Sequence, residues 1–121
     1  MSDVRVEDSI LLTIKKNLGL EPNVTAFDPD LIVFINSALN ILTQLGAGPV
    51  EGFAITSEEE VWSQFIGDDP RLNMVKSYIY LKVRLAFDPP SIGAALSSYQ
   101  DQIKEYEARI NYQVDPPNAF D

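Results

Sequence analysis

The chain contains neither cysteine nor histidine. Without cysteine there is no disulfide framework and no thiolate nucleophile. Without histidine there is no imidazole base, no zinc site of the usual kind and no switch titrating near neutral pH. Basic residues are scarce as well: 9 Lys and Arg stand against 18 Asp and Glu, a net charge of −9. Such a surface repels nucleic-acid phosphate and keeps free subunits soluble, so direct DNA binding is not expected. Long apolar runs are missing too. Leu31 to Val50 carries no charge, but it includes Asn36, Asn40, Thr43, Gln44, two glycines and Pro49, and its apolar helix falls short of the ~20 residues that span a bilayer. No membrane span is expected. The opening MSDVRVEDSILLTIKKNLG has acidic residues ahead of a short apolar patch and no small-residue cleavage site, unlike a secretory signal, so an intracellular protein is expected.

What is present is a globular composition: 121 residues, 45% hydrophobic and 10% aromatic. That is enough for one domain with a modest core. The spacing predicts an all-α fold, a small bundle of about four to five helices with a long central apolar helix and an irregular loop near 46–56. The first helix is expected from Val4 or Asp8 to Leu18, with Ile10, Leu11, Ile14 and Leu18 on one stripe and Gly19 ending it. Asp28-Pro29 supplies a cap and a first-turn proline for a second helix, which closes near Leu45-Gly46. Ser57 and Glu60 have capping-box spacing and are expected to open a short third helix carrying Trp62, Phe65 and Ile66. Asp69-Pro70 is expected to cap the fourth, whose residues Leu72, Val75, Ile79, Val83 and Ala86 share a face that Tyr78, Leu81, Leu85 and Phe87 widen. It stops at Asp88-Pro89-Pro90. Ser91 is placed to cap a fifth helix running to about Gln113, on which Leu96, Tyr99, Ile103, Tyr106 and Ile110 make a narrow seam. Residues 1–114 thus form one helical domain, and 115–121 a flexible, proline-containing tail. Leu31, Ile35, Leu42, Trp62, Val75, Ile79 and Val83 are the expected core.

Candidate chemistry is thin. Glu58, Glu59 and Glu60 fit a solvated first turn better than a metal site, because adjacent carboxylates point apart. Asp28 with Asp30, and Asp68 with Asp69, resemble paired carboxylates, but each pair sits beside a proline without a companion base. No catalytic residue, metal or cofactor is assigned. Contact surfaces are better represented. Asn36, Asn40 and Gln44 form a polar, uncharged face that is either solvated and internally bonded or a subunit contact, where charges are depleted. The seam Tyr99, Ile103, Tyr106 and Ile110 is either intramolecular core or an oligomer seam. Phe120 either frays with the terminus or docks in a partner's groove.

Three stretches in order carry a family resemblance: DSILLTIKKNLG; FDPDLIVFINSALNILTQLGAGPVEGF; and VWSQFIGDDPRLNMVKSYIYLKVRLAFDPP, followed by the closing amphipathic helix to Ile110-Asn111. Together they resemble the small head-tail connector, or adaptor, proteins of long-tailed bacteriophages. The resemblance implies a non-enzymatic helical subunit that forms a ring beneath the portal protein. It would extend the DNA channel, with DNA passing through unbound, and present a surface to a head-completion (stopper) or tail protein. It implies a place in the neck of the virion, and in the host cytoplasm during assembly. An acidic lining suits a conduit that must not grip DNA. Two other classes stay open on sequence alone: a monomeric or dimeric regulatory binding module using the fifth helix, and a small enzyme working with carboxylates.

Overall fold

The computed structural model describes residues 4–114, with five helices in chain order: α1 (Ile10–Asn17), α2 (Asp28–Gln44), α3 (Trp62–Ile66), α4 (Leu72–Phe87) and α5 (Gly93–Val114). Among the described residues the extended backbone pairs only at an isolated antiparallel bridge between Ser9 and Val61. The protein is an all-α bundle. Apolar residues three and four apart supply the buried stripes, and α4, apolar on most of its circumference, packs against α1, α2 and α5.

Helix ends depart from the sequence expectation, for identifiable reasons. α1 starts at neither Val4 nor Asp8. Residues 6–8 form a turn, and the Ser9 hydroxyl caps the helix by accepting from the Leu12 N–H at 3.1 Å. The Asp8 carbonyl is engaged elsewhere, accepting from the Trp62 N–H at 3.0 Å, while the Ile10 N–H donates to the Glu60 carbonyl at 3.1 Å. These bonds, with Trp62 Nε1 donating to the Thr13 hydroxyl at 3.0 Å, stitch the start of α1 to the start of α3.

The acidic residues expected as caps have other work. Asp28 lies inside the first turn of α2 and makes no cap bond; its carboxylate faces Lys15 Nζ at 2.9 Å. A buried ammonium needs a counter-charge more than the helix start needs a cap, since Pro29 removes one of the orphan donors. Glu60 does not open α3, which begins at Trp62. Its carboxylate turns back to accept from the Thr56 N–H, the Thr56 hydroxyl and the Ser57 N–H at 3.0, 2.8 and 3.1 Å, locking a turn. Burial pushes the Glu60 carboxyl up, but these donors outweigh it and leave it below the usual range. Asp69 accepts from the Arg71 N–H at 2.8 Å just ahead of α4 and also binds the Arg71 guanidinium, while no side chain caps α4 at Arg71 itself. α5 begins at Gly93, two residues after Ser91.

α2 ends in a Schellman motif: the Ala47 N–H reaches the Leu42 carbonyl at 2.8 Å and the Gly46 N–H the Thr43 carbonyl at 3.1 Å, with Gly46 at φ 93° as the motif requires. The expected stop at Gly46 is therefore the observed one. α1 closes on the same pair of bonds at Leu20 and Gly19.

The core is one contiguous cluster. Leu31, Ile35, Leu42, Val75, Ile79 and Val83 are fully buried, and Trp62 is buried beside Phe65 and Ile66. Each such aliphatic side chain contributes about 1.5–3 kcal/mol by leaving water. Toward the C-terminal end of α4 the packing opens: Leu85 and Phe87 are half-buried, and Ala86, placed by its spacing on the buried face, is exposed. Grooves lie on either side of α4 there.

Candidate oligomer and partner interface

The amide face of α2 divides in two. Asn36 is half-buried and fully committed: its Nδ2 donates to the Ile55 carbonyl at 3.0 Å, and its Oδ1 accepts from the Ile55 N–H at 2.7 Å. One side chain thereby pairs with a backbone unit as a neighbouring strand would. It holds the returning limb of the 45–61 connection against α2 and buries Ile55. Asn36 is therefore a structural clamp rather than part of a free contact face. Asn40 and Gln44, one and two turns further on, are exposed.

The seam of α5 faces inward. Ile110 is fully buried and Ile103 nearly so, while Tyr99 and Tyr106 are half-buried against the same cluster. Tyr99 receives the Arg84 guanidinium over its ring at 5.9 Å. Tyr78 of α4 donates to a Glu107 carboxylate oxygen at 2.7 Å; burial, then that bond, raises the phenol well above its ordinary range. The opposite side of α5, with Asp101, Gln102, Lys104, Glu105, Ala108 and Arg109, is exposed. Phe120 lies outside the described residues. The proposed interface residues therefore do not form one patch: Asn40 and Gln44 are open on α2, and the seam residues join α5 to α4.

Two buried cations were not anticipated. Lys15 is 1% exposed, and its ammonium donates to the carbonyls of Pro22 and Val24 at 3.0 and 2.6 Å while facing Asp28. The Asp28 contact is a charge pair, without the geometry of a directed hydrogen bond. Arg71 sits where three segments meet. It bonds Asp69 through Nε at 2.9 Å and Nη2 at 2.5 Å, the Ile110 carbonyl through Nη1 at 3.1 Å, and the Gly46 carbonyl through Nη2 at 3.3 Å. The guanidinium, aided by the Arg71 N–H and opposed by burial, holds the Asp69 carboxyl below the usual range. Lys15 carried a faint sequence signal, lying four residues from Leu11 on the apolar stripe. Arg71 carried none beyond the short Asp-Pro-Arg spacing.

Concave surface is shallow and interhelical. A groove between α2 and α4 is lined by Phe34, Ser37, Ala38, Lys82, Leu85 and Ala86. A second, between α4 and α5, shares Lys82 and Leu85. Among the described residues no group of three or more Asp, Glu, His or Cys could hold a metal ion, and no helix is long and apolar enough to cross a membrane.

The chain belongs to the phage connector family, whose sequence model, described as a phage connector protein, matches residues 10–117. No curated protein and no solved structure matches the chain. Membership makes it a structural component of a phage virion that associates with other head and tail proteins.

Proposed function

We propose that this connector is an adaptor subunit that oligomerises as a ring beneath the portal protein, extends the DNA channel, and offers its far side to a head-completion or tail protein in the neck of the virion. Family membership over residues 10–117 carries the reading. The physical chemistry supports it. A net charge of −9 lets DNA pass without specific binding. The exposed, uncharged residues Asn40 and Gln44, with Val33 60% exposed on the same helix, give α2 a neutral surface suited to subunit contact. The role asks for no bond to be made or broken: lateral contacts close the ring and exposed segments dock on the portal.

Light scattering tests this directly, by measuring molar mass alone and after mixing with the portal protein of the same phage. A large closed complex is expected. Asn40→Arg places a charge on the contact face and is expected to leave helicity intact while impairing closure. A small species that ignores the portal, or an Asn40→Arg variant that assembles like the parent, would remove the ring or its α2 contact respectively.

A further inference from the structure

Near its C-terminal end, α4 is flanked by the two grooves described above, with Lys82 and Leu85 as the ridge between them. The α2–α4 groove, about 400 Å³ in volume, has an apolar floor: Ala38 is buried, and Phe34 and Leu85 are half-buried. Val33, one turn before Ser37 on the same face, is largely exposed. Lys82 stands over this floor, and the adjoining groove is lined by Lys104 together with Glu107, which accepts from the Tyr78 hydroxyl. Among the described residues neither lysine has an ion-pair or hydrogen-bond partner. An unpaired cation, Lys82, beside an apolar floor, in a chain otherwise strongly acidic, suits an occupant that is aromatic and anionic. The chain itself contains such a segment. Residues 115–121, DPPNAFD, lie outside the described residues and join Phe120 to Asp115 and Asp121 with no basic residue.

We propose that Phe120 and the flanking acids of one copy occupy the α2–α4 groove of a neighbouring copy, a reading that rests on the self-association proposed above. Reach selects the neighbour over the chain itself. α4 and α5 run antiparallel, with Arg71 bonded to Ile110 at one end and Arg84 over Tyr99 at the other. Ile110 is level with Arg71, so Val114, four residues further on, lies about 6 Å beyond the start of α4. From Arg71 to Leu85 the helix rises about 21 Å, so about 27 Å along the bundle separates the level of Val114 from that of Leu85. The six residues from Asp115 to Phe120 extend at most about 20–22 Å, less through consecutive prolines at ~3.1 Å each, and they would first have to reverse direction. The tail of one chain falls short of its own Leu85 even when fully extended, whereas a neighbour's groove sets no such limit. Docked in a neighbour, the tail makes a head-to-tail contact, the kind that closes a ring when its rotation permits.

The test is an NMR titration of the full-length, ¹⁵N-labelled chain with a synthetic peptide of residues 113–121. Amide shifts are expected at Phe34, Ser37, Lys82, Leu85 and Ala86. A peptide carrying Phe120→Ala is expected to bind at least about ten-fold more weakly, the scale of losing one buried aromatic side chain. Lys82→Glu in the chain is expected to abolish the shifts while leaving the thermal melt in place. Absence of shifts at millimolar peptide, or shifts confined to another face, overturns the proposal. So do groove shifts produced by portal protein and never by the peptide, which would assign the groove to the portal. Molar mass keeps the two readings apart. Rings without peptide shifts remove the tail contact and leave the ring, whereas peptide shifts in a chain that never forms rings support the contact and count against the ring.

Discussion

Replacing Arg71 with methionine keeps the aliphatic stem and removes the fork that joins the start of α4 to the end of α2 and the last turns of α5. Two carbonyls, Ile110 and Gly46, lose a charged donor, and Asp69 loses its counter-ion. Breaking a fully buried pair costs about 3–5 kcal/mol. Here the Asp69 side chain is 22% exposed and rehydrates in part, and the 3.3 Å bond to Gly46 is weak. The expected loss is about 3 kcal/mol. With an unfolding entropy of about 2.1 cal/mol/K per residue, that lowers Tm by roughly 12 °C. Thermal and urea unfolding followed by circular dichroism measure it, with Asp69→Asn as the companion, which keeps an acceptor and is expected to cost about 1 kcal/mol. The double variant should lose less than the sum, because each change removes the same pair. Arg71→Met melting within about 3 °C of the parent would refute the reasoning and reduce Arg71 to a solvated side chain.

Other outcomes follow from the same geometry. Asn36→Ala removes both bonds to Ile55 and is expected to cost about 1–3 kcal/mol, with faster hydrogen exchange at the Ile55 amide; unchanged exchange there would show that the connection is held by other contacts. Gly48 has φ +85°, and a Cβ added to it would lie 2.3 Å from the Phe65 ring, so Gly48→Ala is expected to destabilise by at least about 1 kcal/mol, whereas a neutral melt would mean the ring moves aside freely. Asp69 and Glu60 are held below the usual carboxylate range in the folded protein. Their contribution is present above about pH 4 and is lost as pH falls through the lowered values; Asp69→Asn should flatten that acid limb of stability. Tyr78 is displaced upward, so its contribution is complete below about pH 10 and declines at higher pH, and Tyr78→Phe should flatten the alkaline limb.

The order and type of the helices were legible in the sequence because apolar spacing and glycine stops are local signals. Gly46 marked the end of α2, and the Schellman bonds show why. The helix starts were less legible. Asp28, Glu60 and Asp69 have the local pattern of caps; Glu60 and Asp69 do take nearby backbone N–H groups, at Thr56-Ser57 and Arg71, but short of the helix starts, whereas Asp28 is taken by Lys15, which only the fold brings near. A buried cation outbids a helix terminus, and nothing within four residues of Asp28 announces Lys15. The same limit applies to contact surface. Asn36, Asn40 and Gln44 share a face by spacing, but the chain returns over Asn36 alone. Ile103 and Ile110 were equally consistent with an inner or an outer seam until α4 was seen beneath them. The grooves beside Lys82 left no linear signal, because residues from α2, α4 and α5 contribute to them.

The clamp between Asn36 and Ile55 separates the 45–61 connection into fixed bases and a free apex. One base is held by the Schellman bonds at Gly46 and Ala47, the other by Asn36, and between them Val50 stands 95% exposed. Loop-closure entropy grows by only about 0.6 kcal/mol for each doubling of length, and exposed tips accept added sequence most readily. The tip at Val50-Glu51 is thus a natural graft point, where an epitope or a fluorescent label can ride on the bundle with its anchors undisturbed, and where related chains are free to differ in length without a new core.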